Sequence, residues 1–185
     1  TTGATVKGIT LSENQYTTAT KRAHEEGLSD KVSFSLKDYR YERDTYDRIV
    51  SVGMFEHVGI GYFKVFFKKT YELLNEGGIF LLHTIGQRGK PTATSPWIRK
   101  YIFPGGYIPS LTEILNVCEK QNIFVTDIEI LRLHYVQTLK YWYQNCIKNK
   151  DKIIDMFDEQ FFRMWEFYLL SSQYSFRNMG NVVFQ

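Results

Sequence analysis

A carboxylate and an imidazole stand just past the ends of two strand-like runs: Glu56 follows Tyr46–Val52, and His83 follows the apolar run 79–82. Brought over one cleft, the pair could pass protons to and from a ligand, because these side chains are frequent general acids and bases. Past the other runs stand Thr10, Leu11, Ser12 and Gln15, then Asp38 and Tyr39, then Gly53, with Thr84 and Ile85 following His83. Ligands of an open α/β sheet bind beyond the carboxyl ends of its strands, which makes these positions one candidate site. Each also has a plainer reading. Ser12 and Gln15 suffice as a capping box, Glu56 as a partner for a helix dipole, and Asp38 as a turn opener. His83 reads equally as a satisfied core histidine, His57 as a surface one and His24 as solvated on a polar helix face. Spacing licenses a cleft and leaves the reaction open.

These positions converge only if the runs before them are strands of one sheet. Residues 4–10 alternate apolar and polar side chains and predict a strand. Ser12 and Gln15, as a reciprocal capping box, then open a helix through Tyr16, Ala19 and Ala23 that Gly27 stops. Residues 31–36 predict a second strand and Tyr46–Val52 a third. Phe63, Phe66, Phe67, Tyr71 and Leu74 mark a helix that stops at 75–78, before a fourth strand at 79–82. Parallel neighbours need a crossover of a dozen or more residues, and this rhythm supplies one, so the expected fold is α/β with a mostly parallel, doubly wound sheet. The Gly-, Pro-, Thr- and Ser-rich loop 86–96 and the turn 103–106 suit a lid or entrance. Next come a helix through Leu111, Ile114, Leu115 and Cys118, and a strand over 123–131. A long late helix carries Phe157, Phe161, Met164, Trp165 and Tyr168 on a core face, and a return strand takes 182–184. Without repeat or linker, residues 1–185 read as one domain.

Composition narrows the class. A net charge of +3, from 23 basic residues scattered among 20 acidic ones, argues against nucleic acid as a partner and leaves a weak pull toward anionic surfaces. Cys118 and Cys146 lie in apolar stretches without metal-site spacing, which argues against a zinc site or a disulfide framework and for a reducing cytosol. No apolar run approaches the roughly 20 residues of a membrane-spanning helix, so a soluble protein is expected. The 14 Phe, 13 Tyr and 3 Trp must line a large core or an apolar cavity.

The same segments carry a resemblance. GITLSENQ at 8–15, YDRIVSVGMFEHVG at 46–59, LLHTI at 81–85 and YIFPGG at 101–106 follow one another, with Pro109 and Ser110 behind. His134 and Tyr135 then precede Thr138, Leu139 and Trp142, and Phe176 and Arg177 stand near the tail. In this order, over essentially the whole chain, they resemble the cyclopropane fatty acid synthase family, S-adenosylmethionine-dependent methyltransferases that include the mycolic acid cyclopropane synthases.

The resemblance implies a Rossmann-like class I methyltransferase fold and methylene addition to the cis double bond of unsaturated phospholipid acyl chains. The alternatives are a methyltransferase on another lipid or small acceptor, or an inactive piece. It implies S-adenosylmethionine and bicarbonate as cofactors, with Glu56, His83, Ile85 and Tyr135 at the bicarbonate. Thr10, Leu11, Gln15, Asp38, Tyr39 and Gly53 are implied at the adenosyl group. It further implies a cytoplasmic enzyme peripheral to the inner membrane surface. Many class I methyltransferases end the second strand with an acid for the ribose hydroxyls; Thr10 stands there, as in this family's own motif. Aligned on the family, the chain opens before that second strand, so it is expected to lack the central first strand and its glycine-rich turn. The resulting unpaired edges favour a homodimer or other self-association.

Overall fold

The alternating β-branched runs form strands where a neighbour with matching length is available. The computed structural model describes residues 2–185. β1 (Val6–Thr10) pairs in parallel with β2 (Val32–Leu36), and α1 (Glu13–Glu25) crosses between them. β3 (Tyr46–Val52) pairs in parallel with β4 (Leu74–Gln87) through α2 (Phe63–Leu73). Then follow α3 (Pro96–Tyr101), α4 (Leu111–Lys120), β5 (Ile130–Leu131), α5 (His134–Lys148), α6 (Lys150–Met156) and α7 (Glu159–Tyr174). A wide turn at Ser175–Met179 leads into β6 (Asn181–Phe184), which runs antiparallel between β4 and β5. The four-stranded order is β3-β4-β6-β5, beside a separate β1-β2 pair.

The sequence expectations need correction at several points. Gln15 does not complete the box: Ser12 Oγ accepts the Gln15 N–H at 3.3 Å, but the Gln15 side chain turns away to accept the Thr10 hydroxyl at 2.7 Å. A reciprocal box forms instead at Ser110 and Glu113, opening α4. The expected strand over 123–131 shrinks to Ile130–Leu131, because β6 offers only four residues to pair with and Phe124 is left 87% exposed. The fourth strand starts earlier than expected. Leu74 already pairs with Tyr46, and residues 75–78 bulge out before Ile79 rejoins opposite Arg48. The late helix starts at Glu159, capped by Asp158, which leaves Phe157 ahead of it, 58% exposed.

β4 and β6 carry a core on each face, as alternation along a doubly covered strand requires. Phe80 and Leu82 of β4, with Val182 and Phe184 of β6, pack against Phe55, Phe63, Phe66 and Phe67 under α2 and α4. On the opposite face, Ile85 and Val183 pack under α5 and α7 with Leu139, Phe162, Leu169 and Phe176. Phe184 lies so close over Gly86 that a Cβ there would stand 2.1 Å from the ring, so only glycine fits. The covering layer is uneven, since Val50 and Val52 of β3 and Ile79 and Leu81 of β4 are exposed.

β1 and β2 are tied to the loop before β3 by charge. Glu42, 2% exposed, takes Lys7 at 3.1 Å and Lys37 at 3.3 Å, and accepts the Arg43 and Asp44 N–H groups. Burial raises its pKa, but those donors and cations outweigh burial and bring it down to about 2.

Candidate active site

The ladder between β3 and β4 ends with the Gly53 N–H donating to the His83 carbonyl at 3.0 Å. Gly53 takes a φ of +61°, which glycine adopts without strain, and turns the chain across the top of β4. Phe55 is fully buried and stacks on Phe63 with centroids 4.3 Å apart, which fixes the next residue over the sheet end. There Glu56 Oε1 accepts the Ile85 N–H at 2.7 Å, taking the rung that a longer β3 would have filled. From the other side the Tyr107 N–H donates to the Glu56 carbonyl at 2.8 Å, while the Tyr107 hydroxyl donates to Glu113 at 2.7 Å. Both the backbone and the side chain of Glu56 are therefore held.

The second carboxylate oxygen, Oε2, is buried and has no hydrogen-bond partner among the described residues. Such groups are uncommon in folded proteins, and a bound donor is one way to satisfy them. Tyr135, in the first turn of α5, packs against Phe176 and Trp142 with centroids at 4.9 and 5.8 Å. Burial raises the Tyr135 pKa and the nearby Glu56 charge raises it further, which keeps its hydroxyl protonated and able to donate. Tyr168 of α7 is raised first by burial and then by Tyr135, which places it in the same neighbourhood.

His83 lies two residues before Ile85, on the same face of β4 by alternation. Its Nδ1 is 3.1 Å from Gln185 Oε1, just past the Thr84–Phe184 pair. Among the described residues no hydrogen bond joins His83 to Glu56; they meet the same end of β4, His83 as one of its residues and Glu56 through the Ile85 N–H. Sequence reading missed Gln185, Tyr107, Glu113 and Tyr168. Only Glu113 had a local signal, the Ser110-to-Glu113 spacing of a capping box.

The other named residues gather at the ends of β1, β2 and β3. The Thr10 hydroxyl donates to Gln15 and accepts the Ser12 N–H at 3.1 Å, and Leu11 projects with 73% exposure. Asp38 accepts the Arg40 N–H at 2.9 Å and grips its guanidinium through both oxygens, and that grip holds the Asp38 carboxyl below its usual range. Tyr39 meets Phe66 edge-on at 5.5 Å. The candidates thus form two groups, one at the ends of β1 and β2 and one at the ends of β3 and β4. Among the described residues, none of the His, Cys, Asp and Glu side chains form a group of three or more able to hold a metal ion.

A family model described as mycolic acid cyclopropane synthetase matches residues 1–185. The chain belongs to that family. It is 40% identical over 172 residues to the cyclopropane-fatty-acyl-phospholipid synthase of Escherichia coli K12, covering 93% of this chain and 44% of that protein. It is 32% identical over 192 residues to sphingolipid C9-methyltransferase 2 of Gibberella zeae, covering 99% of this chain and 37% of that protein. The chain therefore spans less than half the length of both relatives. It superposes with a TM-score of 0.90 on the crystal structure of mycolic acid cyclopropane synthase CmaA1 complexed with SAH and CTAB. That match has 29% identity and covers 98% of this chain and 68% of that one. The fold of this cyclopropane synthetase family member is the Rossmann-like α/β fold of class I methyltransferases.

Proposed function

We propose that this protein adds a methylene group from S-adenosylmethionine to the cis double bond of an unsaturated phospholipid acyl chain, closing a cyclopropane ring. One observation carries the reading: Glu56 is anchored by one oxygen on the Ile85 N–H while its other oxygen is buried, unpartnered, in the neighbourhood of Tyr135.

The residues present suit both cofactors. At the ends of β1 and β2, the Thr10 hydroxyl and Gln15 amide match ribose hydroxyls, the Asp38 carboxylate matches the adenine amine, and Leu11 and Tyr39 offer apolar surface. Space is open where a Gly53 Cβ would lie, which leaves room for the ligand. When bound, S-adenosylmethionine supplies an electrophilic methyl group on a sulfonium. A strand between β1 and β3, parallel to both, would join the two sheets and complete that side of the site. The bare Val50, Val52, Ile79 and Leu81 face suits either helices preceding such a strand or self-association of the chain.

Bicarbonate suits the second group because it is an anion with its own proton: Glu56 Oε2 would accept that O–H, and the Tyr135 hydroxyl would donate to a remaining oxygen. Bound there, it supplies a small exchangeable base. Methyl transfer would use the alkene π pair to form the new carbon–carbon bond, while the pair of the broken sulfur–methyl bond goes to sulfur, which departs as a neutral thioether. Positive charge is left on the neighbouring carbon, where the π faces of Tyr135 and Tyr168 stabilise it. Loss of a methyl proton to a base held beside Glu56 would free the C–H pair that closes the ring. His83, with Nδ1 donating to Gln185 Oε1, would present Nε2 to the site as an acceptor.

The likeness to a sphingolipid methyltransferase favours one second reading, in which the methyl group is retained on another lipid. Mass and unsaturation analysis of the product separates the two. A gain of CH2 with loss of the double bond supports ring closure, whereas a gain of CH2 with the double bond retained overturns it. A cytoplasmic enzyme peripheral to the inner membrane surface fits this substrate, and among the described residues no helix is long and apolar enough to cross a membrane.

A further inference from the structure

α7 is apolar on three sides. Phe162 and Leu169 face the core, and Phe161, Trp165 and Tyr168 form a row of contacting rings. The third side carries Arg163, Phe167, Leu170 and Tyr174 at helical spacing, and there Phe167, Leu170 and Tyr174 are 57%, 42% and 60% exposed. This outer apolar stripe is left open on a helix that also carries Glu159, Gln160, Arg163 and Glu166, and such an open stripe marks a contact surface.

α3 lies beside that stripe. Trp97 meets Phe167 edge-on at 5.0 Å, and a groove of about 570 Å³ between the two helices is lined by Trp97, Tyr101, Arg163 and Phe167. The segment 86–109 that contains α3 carries Arg88, Lys90, Arg99 and Lys100 and no acidic residue. Arg99 and Lys100 are exposed, and Lys100 Nζ stands 4.8 Å over the Tyr101 ring. The acids at the start of α7 are engaged: Asp158 caps the Phe161 N–H at 2.6 Å and Glu159 pairs with Arg163 at 3.5 Å. Cations surrounding aromatic and aliphatic side chains, on a chain whose net charge is only +3, match one partner chemistry well. That partner is an interface with anionic headgroups above and hydrocarbon below. A second copy of the same face would set like charges against each other.

We propose that the α3–α7 surface is where the protein lies on a bilayer containing anionic phospholipid. The stripe Phe167, Leu170 and Tyr174 enters the acyl boundary, and Arg99 and Lys100 sit among the headgroups. The proposal rests on the lipid-acyl reading above and names where its substrate is approached.

The test is co-sedimentation of the full chain with vesicles of phosphatidylcholine alone or mixed with phosphatidylglycerol. Binding is expected on the mixed vesicles, to weaken with salt, and to be far lower on phosphatidylcholine. Arg99→Gln with Lys100→Gln should weaken it about 25-fold, since each surface cation contributes about fivefold. Leu170→Ser with Tyr174→Ser should also release the protein. Both charge changes lie in solvent, so they remain readable if the apolar pair disturbs folding. Equal binding to both vesicle types, no binding, unaltered binding by the charge variant, or capture by an acidic polypeptide in place of vesicles would overturn the proposal. Turnover on detergent-dispersed substrate separates this surface from the catalytic reading. It should survive the Arg99 and Lys100 changes, and its absence in a parent protein that still binds vesicles would sink the catalytic reading alone.

Discussion

Glu56 closes the β3–β4 ladder with its side chain: its Oε1 lies 2.7 Å from the Ile85 nitrogen, so a carboxylate stands where strand backbone would otherwise continue. One contact therefore does two things. It satisfies the Ile85 N–H, and it aims the second oxygen of Glu56 into the site.

The structural half of that role separates by substitution. Glu56→Gln keeps an oxygen for the Ile85 N–H and should leave thermal stability within about 1 kcal/mol of the parent. Glu56→Ala removes the acceptor and should cost about 1–3 kcal/mol, read by chemical denaturation. Equal losses in both would show that the hydrogen bond is not what holds the loop.

Tyr135 should report the same carboxylate. Its pKa is raised first by burial and then by the Glu56 charge, so Glu56→Gln should lower it while leaving it above the ordinary phenol value. NMR titration of ring-labelled tyrosine checks this; an unmoved Tyr135 resonance would place Glu56 outside its electrostatic reach.

Glu42 predicts an acid limb of stability. Its folded pKa of about 2 lies below the ordinary 4.5 of a glutamate, so its contribution is complete above 4.5 and is lost as pH falls from there toward 2. Glu42→Gln should flatten that limb and cost about 3 kcal/mol at neutral pH, since it leaves Lys7 and Lys37 without their buried partner. Melting curves across that pH range would show either the limb or its absence.

Gly86→Ala should cost about 2–3 kcal/mol, because the new methyl meets the Phe184 ring and neither β4 nor β6 can retreat without losing pairing. Phe184→Leu in the same background should recover part of the loss; no recovery would mean that the strain lies in the backbone.

Much of this was legible where local pattern and tertiary context agree. The run Tyr46–Val52 forms its strand because the longer β4 offers it a partner from end to end, and the turn after it holds Gly53 and Glu56 where the spacing put them. Residues 123–131 have the same β-rich composition but find only a four-residue partner, so just two of them pair. α5 had an available signal in the helical spacing of Val136, Leu139, Tyr143 and Cys146, which the surrounding polar residues obscured. Gln185 as the tether of His83 had none, because the antiparallel return of β6 brings together residues 102 apart. The Gln15 side chain accepts the Thr10 hydroxyl, and Thr10 in turn accepts the Ser12 N–H that a reciprocal box would give to Gln15, a competition that the Ser12-to-Gln15 spacing does not show.

The most direct measurement is turnover of the Glu56→Gln enzyme on unsaturated phospholipid, taken beside its affinity for S-adenosylmethionine by calorimetry. With the oxygen proposed to accept the bicarbonate proton replaced by an amide nitrogen, turnover should fall about 10²–10⁴-fold while cofactor affinity holds, since the hydrogen bonds of Glu56 run to Ile85 and Tyr107 and not to Thr10, Gln15 or Asp38. Undiminished turnover would contradict the assignment of Glu56 as the centre of the site.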